Sequence, residues 1–179
     1  MKKTLKEFLE KNNACKGGYL FAKDLTLEEF LATCHRGDWI LWLFVKSNPD
    51  SLKELTLAKG HCANTVRHLM EDKKSIKAVD VAIAFGEGKA TKKELDSASA
   101  AAYAAYAAYA ASAAYAASAA YAVDAAYAAS AASDADAAYA ASAASDASGD
   151  STSPTYKQNQ METADICRKY LPLQIWNIK

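Results

Sequence analysis

At 179 residues and 51% hydrophobic, the chain is long enough for one domain with a substantial core. Its formal net charge of zero argues against a dedicated nucleic-acid binder, which carries a clear basic excess. The opening Met1-Lys2-Lys3-Thr4-Leu5 lacks the apolar stretch of a signal peptide, and the apolar run Trp39–Val45 is far too short to cross a bilayer.

The charge is unevenly distributed. Residues 1–95 hold 17 Lys/Arg against 13 Asp/Glu, residues 96–156 hold six Asp and no cation, and residues 157–179 hold four cations against two acids. This asymmetry predicts that the basic parts fold back on the acidic stretch or that a basic face meets an anionic partner. Cys15, Cys34, Cys62 and Cys167 show no paired spacing and read as reduced, half-buried thiols of a cytoplasmic protein.

Three Thr-x-x-Glu pairs, Thr4/Glu7, Thr26/Glu29 and Thr91/Glu94, have the form of capping boxes. The first predicts a short helix from Leu5 to Asn12, stopped by Asn12-Asn13 and Gly17-Gly18. The second opens a helix whose Leu27, Phe30, Leu31 and Cys34 form an apolar stripe, ending at His35-Arg36-Gly37. Asp38 can cap a third helix through Trp39–Val45, with a buried strand as the rival reading. Asn48-Pro49-Asp50 breaks the chain. A longer helix follows, carrying Leu52, Leu55, Cys62, Val66, Leu69 and Met70. Ser75 can cap the next, which stops at Gly86-Glu87-Gly88.

Thr91 then opens a tract of alanines in which most third positions are Tyr, Ser or Asp. With no Gly or Pro inside it, the tract over about 91–148 should be helical. At 100° per residue the marked positions drift back by about 60° and realign after roughly 18 residues. Tyr103, Tyr121 and Tyr139 therefore share one line and Tyr109 and Tyr127 another, while Ser112 and Ser130 fall opposite. The tyrosine rings are expected to supply most of the apolar area, and the alanines to allow close helix contact. One unbroken helix would measure on the order of 85 Å, against about 40 Å for a compact domain. A hairpin broken near Val123-Asp124 or Ser133-Asp134 is favoured over a projecting arm. Residues 149–155 read as a flexible loop. A last helix is expected from about Tyr156 to Tyr170, with Pro172 turning it into an apolar tail. The expected fold is all-α: residues 1–179 as a single helical domain, a compact bundle with a long Ala/Tyr-rich helix or helical hairpin.

Little in the chain spells catalysis. His61, Cys62 and His68 fall on one predicted helix, His61 and His68 sharing a face, but no zinc-type ligand spacing is present. A nucleophile built from Cys34 or Cys62 with His61 and Asp38 lacks any sign of the electropositive pocket that activates a thiol. Gly86-Glu87-Gly88 has neither the preceding strand nor the following Gly-Lys-Ser/Thr of a phosphate loop. Arg36-Gly37-Asp38 reads as a turn between helices rather than an adhesion motif. The Ala-Ala-X repeat lacks the flat face of ice-binding helices. What remains is a binding surface: Arg36, Trp39, His61, Arg67, His68, Tyr103, Tyr106 and Arg168 combine cations with aromatic planes. No catalytic residue, metal or cofactor is expected. Trp39, Trp42 and Trp176 are equally suited to packing in the core.

Several segments together resemble a known family: Gly37-Asp38-Trp39-Ile40-Leu41-Trp42-Leu43; Leu57-Ala58-Lys59-Gly60-His61-Cys62-Ala63; Lys77-Ala78-Val79 running to Phe85-Gly86-Glu87-Gly88-Lys89-Ala90-Thr91-Lys92-Lys93-Glu94-Leu95; and Ala164-Asp165-Ile166-Cys167-Arg168-Lys169-Tyr170-Leu171-Pro172. In this order they look like the immunity proteins of bacterial polymorphic toxin systems, which phages and prophages also carry. The resemblance covers about residues 30–175. It implies an all-α, non-enzymatic protein that neutralises a toxin or an antiviral defence effector, with no catalytic motif to carry over. The expected setting is the bacterial cytoplasm, with no membrane partner, and two alternatives stand beside this reading. One is a phage-encoded sponge for a nucleotide-derived signalling molecule, a homo-oligomer through its Ala/Tyr helices being compatible with either role. The other is a cysteine-dependent hydrolase.

Overall fold

Local capping chemistry starts most of the helices. The structure, a computed structural model, describes residues 4–70, 72–112 (105–112 as backbone), 141, 144–146 and 152–178. Among these residues there is no strand, and the fold is all-α and compact, as expected.

Helix α1 (Lys6–Lys11) begins at Leu5, whose side chain is buried and whose N–H donates to the Leu25 carbonyl at 2.9 Å. Thr4 is exposed and Leu5 takes the cap position without a side-chain bond, so the Thr4/Glu7 box does not form. The stop falls where expected: Asn13 adopts φ 54°, and the amides of Asn13 and Ala14 return to Glu10 and Leu9 in a Schellman arrangement.

Helix α2 (Lys16–Ala22) corrects the reading of Gly17-Gly18 as part of a stop. Trp39 lies against both glycines: a Cβ on Gly17 would sit 3.4 Å from its ring, and one on Gly18 3.9 Å from it. Tertiary packing overrides the poor helix propensity of glycine here. Helix α3 (Leu27–Thr33) has its capping box in full, with Thr26 and Glu29 bonded reciprocally at 2.9 and 3.2 Å.

The apolar run Trp39–Val45 is helix, not strand, within α4 (Gly37–Ser47). Its cap position is Arg36; Asp38 lies in the first turn and pairs with Arg36 instead of capping. Helix α5 (Leu52–Asn64) ends earlier than the Met70 expected from hydrophobic spacing, and Arg67–Leu69 forms a short 3₁₀ turn. Thr65 caps it and bonds back to the Cys62 carbonyl at 2.8 Å. Helix α6 (Lys73–Gly86) is capped by Asp72, whose carboxylate accepts the Lys74 N–H, rather than by Ser75, which is buried inside the first turn. Its stop is a second Schellman arrangement: Gly88 takes φ 76°, and the amides of Gly88 and Lys89 reach Phe85 and Ala84.

Helix α7 (Lys92–Ser112) carries the start of the alanine tract behind a formed Thr91/Glu94 box. It packs on α6 as a hairpin through Ala98 and Ala102, which join Ala78 and Val81 in one apolar cluster. Tyr103 is 60% exposed, so on this stretch the burial comes from Leu95 and the alanines, not from the tyrosine ring as expected. Further along, Ala141 and Ala144 are buried in the same body as the start of the tract. The anticipated breaks at Val123-Asp124 and Ser133-Asp134 lie outside the described residues.

Helix α8 (Pro154–Tyr170) starts with Ser153 as cap and Pro154 in the first turn, so the end of the expected 149–155 loop is already helix. It lies across α4 and α5, then turns at Pro172 into a 3₁₀ segment, Leu173–Ile175. The crossing is close. A Cβ on Gly37 would fall 2.8 Å from the Thr163 backbone carbon. The main core thus gathers α1–α5, α8 and Trp176 around Ile40, Leu41, Leu43 and Phe44.

Candidate functional site

Helix α4 presents a cavity of about 240 Å³ on the face toward α1, α2 and α3. Its walls are apolar and aromatic, with Phe30, Trp39, Trp42 and Leu43 among them, and its charged groups are Arg36 and Asp38. Because Arg36 and Trp39 are three apart across the start of α4, the guanidinium sits 4.7 Å over the indole ring. Phe21 meets the same indole at 5.7 Å. Arg36 gives Asp38 a two-point bond, Nε to Oδ1 at 2.9 Å and Nη2 to Oδ2 at 2.6 Å. That bond, ahead of the opposing effect of burial, holds the guanidinium still more firmly protonated. Asp146 lies within electrostatic reach of this pair. Burial first, then the Asp38 charge, pushes its carboxyl up. Arg36 opposes this shift only as the smallest of the three effects. Cys15 also lines the cavity; it is exposed, and its Sγ accepts the Gly18 N–H at 3.4 Å.

The other candidates are not brought here. His61 on α5 stacks on Tyr170 of α8, with ring centroids 4.2 Å apart and planes 5° from parallel. Desolvation, then the Lys169 charge, lowers its pKa. Arg67 makes a two-point pair with Asp80 of α6 at 2.5 and 3.0 Å. His68 is exposed on the 3₁₀ turn, so the expected shared helix face of His61 and His68 is lost at the end of α5. Arg168 is a clasp. Its Nε donates to the Leu31 carbonyl at 2.6 Å, Nη2 donates to the Cys34 carbonyl, and Nη1 reaches Asp165. The first two are free carbonyls at the end of α3, where a cation is stabilising. Tyr103 is exposed on α7, and the Tyr106 side chain lies outside the described residues.

The thiols are more enclosed than expected, apart from Cys15. Cys34, Cys62 and Cys167 are fully buried. The Cys62 and Cys167 sulfurs lie 3.9 Å apart between α5 and α8. Burial pushes the Cys34 thiol up to about 11 and raises that of Cys167 well above its ordinary value. Both are held as neutral thiols, the wrong state for attack on a substrate. Trp176 is core: it meets the Phe44 ring edge-on at 5.0 Å and its Nε1 donates to the Leu171 carbonyl at 2.9 Å. Among the described residues no group of His, Cys, Asp or Glu is placed to hold a metal ion, and no helix is long and apolar enough to cross a membrane.

A second concavity, of about 430 Å³, lies between α6 and α7. Lys74, Lys77 and Lys93 line it, with Glu94, Ser97 and an apolar floor that includes Val81, Ala98 and Ala101. Sequence reasoning missed these lysines because it sought cations beside aromatic rings. The available signal was topological: α6 and α7 flank a tight glycine turn, so lysines on both helices can face one trough. Compared with protein-family models, curated proteins and solved structures, the chain matches none.

Proposed function

We propose that the chain is a non-enzymatic binding protein of the immunity type, acting in the bacterial cytoplasm to neutralise a toxin or an antiviral defence effector. One observation carries this reading: the α4 cavity is aromatic and its cation is already matched. Trp39 and Trp42 offer planes, while the Arg36 charge is spent on Asp38. Such a pocket suits an apolar or aromatic anchor side chain from a protein partner, the kind of contact that dominates interface energies. It suits a nucleotide phosphate less well, because a phosphate wants an uncommitted cation. The cavity therefore favours a protein target over the sponge alternative at this site. The neutral, buried thiols of Cys34 and Cys167 support a binding role over the hydrolase alternative.

The test is protection. The chain is expressed in bacteria challenged in turn with a panel of toxins and of antiviral defence systems, and survival or plaque formation is measured. Protection against a member of the panel is expected and should be lost in Trp42→Ala, with circular dichroism confirming that the variant is folded. Protection that survives Trp42→Ala, or its absence across the whole panel, would sink the reading.

A further inference from the structure

We infer that the trough between α6 and α7 is a second binding site, which takes a small phosphate ester with an apolar body. It shares no lining residue with the α4 cavity and stands independently of the reading above.

The trough exists because of the alanine tract. Ala98 and Ala102 let α7 approach α6 closely, and the small side chains of Ala98 and Ala101 leave the flank of that contact unfilled. Lys74 and Lys77 stand one turn apart on α6, and Lys93 stands in the first turn of α7. All three are exposed, and none has an ion-pair partner within 4 Å among the described residues. This is the reverse of Arg36, Arg67 and Arg168, whose charges are all bonded to Asp38, Asp80 and Asp165. The carboxylate in the lining, Glu94, is occupied by the Thr91 N–H and hydroxyl at 2.7 and 2.8 Å. Neighbouring acids are also engaged: Asp96 with Lys92, and Asp80 with Arg67. Glu94 also lies within electrostatic reach of Lys77, so three ammonium groups against one carboxylate leave a rim of net positive charge over an apolar floor.

Ammonium groups bind phosphate as point charges. The floor of Val81, Ala98 and Ala101 adds area for an apolar body, and about 430 Å³ falls within the usual range of small-molecule sites. A nucleic acid would need a longer basic stripe to neutralise successive phosphates. Here the alanine tract brings six Asp and no cation over residues 96–156.

Isothermal titration calorimetry of the full chain tests the site, with phenyl phosphate, adenosine 5′-monophosphate, inorganic phosphate and adenosine as probes. At least one ester should bind about tenfold or more tightly than either inorganic phosphate or adenosine. Lys77→Gln with Lys93→Gln should weaken ester binding about tenfold, and Ala101→Leu, which fills the floor, should weaken it too. The lysines are exposed and Ala101 is half-buried, and thermal melts establish that the variants fold; Lys74→Gln gives an independent variant. Trp42→Ala should leave ester binding unchanged, which separates this site from the α4 cavity. Absence of ester binding, equal affinity for inorganic phosphate, or affinity unchanged by all the lysine variants overturns the proposal. So does tighter, steeply salt-dependent binding of a single-stranded oligonucleotide, which would make the trough a nucleic-acid contact.

Discussion

Around α4 the interior is made of large side chains, Phe44, Ile40, Leu41, Leu43 and Trp176, and the cations nearby are tied to acids or carbonyls. Between α5, α6 and α7 the close helix contacts are made by small ones, beside larger groups such as Phe85 and Leu95. A Cβ on Gly60 would meet Ile83 at 2.9 Å, one on Gly86 would meet Leu57 at 2.4 Å, and Ala78, Ala82, Ala98 and Ala102 are buried. The first region is held by apolar area, the second by the short distance between backbones. The difference decides where binding space is left. Large side chains enclose a neutral cavity, whereas small ones leave a groove whose rim keeps its charges.

The two regions should therefore fail in opposite ways, one by loss of size and the other by gain. Phe44→Ala should cost the most, about 3–5 kcal/mol in chemical denaturation, because a fully buried ring leaves a cavity behind. A cost below about 1 kcal/mol would mean that α4 is not the centre of the core. Gly86→Ala removes no contact, yet should cost about 3 kcal/mol, because the new methyl group meets Leu57 backbone atoms at 2.8 and 2.9 Å. A neutral result would show that the α5–α6 contact can relax.

A smaller effect concerns Cys34, which burial holds neutral up to about pH 11 from an ordinary value of 9.0. Its folded pKa lies above the unfolded one, so the unfolded chain loses this proton first as pH rises. The associated stability is complete below about pH 9 and should be lost by about pH 11, roughly 2–3 kcal/mol in all. The stability difference between the unaltered chain and Cys34→Ala, followed across that window, measures the loss; a constant difference would mean that the thiol is solvated. The smallest effect is at His61, whose folded pKa is lowered by desolvation and then by Lys169. Here the unfolded chain takes up the proton first as pH falls through about 6.5, so stability is complete above that value and declines below it. His61→Phe retains a ring against Tyr170 and should make the decline shallower. An identical slope would contradict the shift.

Much of the fold was legible because helix signals are local. Thr26/Glu29 and Thr91/Glu94 form their boxes, and Asn13 and Gly88 stop their helices through left-handed backbone. Two failures, at Asp38 and Ser75, came from a rival group close in sequence, and others came from distant partners. Gly17-Gly18 is helical because Trp39, some twenty residues later, packs against it. Thr4 loses its cap role because the neighbouring Leu5 amide bonds to Leu25. The candidate site was legible only where its parts were adjacent in sequence: Arg36 and Trp39 meet across one turn of α4. His61, Arg67 and Arg168 were dispersed by Tyr170, Asp80 and the α3 carbonyls, none of which the spacing of aromatic and basic residues encodes.

The clasp of Arg168 on the end of α3 has a consequence for how the molecule is made. Arg168 bonds carbonyls 137 and 134 residues earlier, and Asn48 bonds the Ile175 carbonyl across 127 residues. A ribosome adding about 5–20 residues per second leaves α3 and α4 waiting several seconds or more for α8. During that interval the side of α4 that faces α8 is uncovered, while its contacts with α1, α2, α3 and α5 can already form. The closing contacts of the fold join segments more than a hundred residues apart, the kind of contact that is slowest to form.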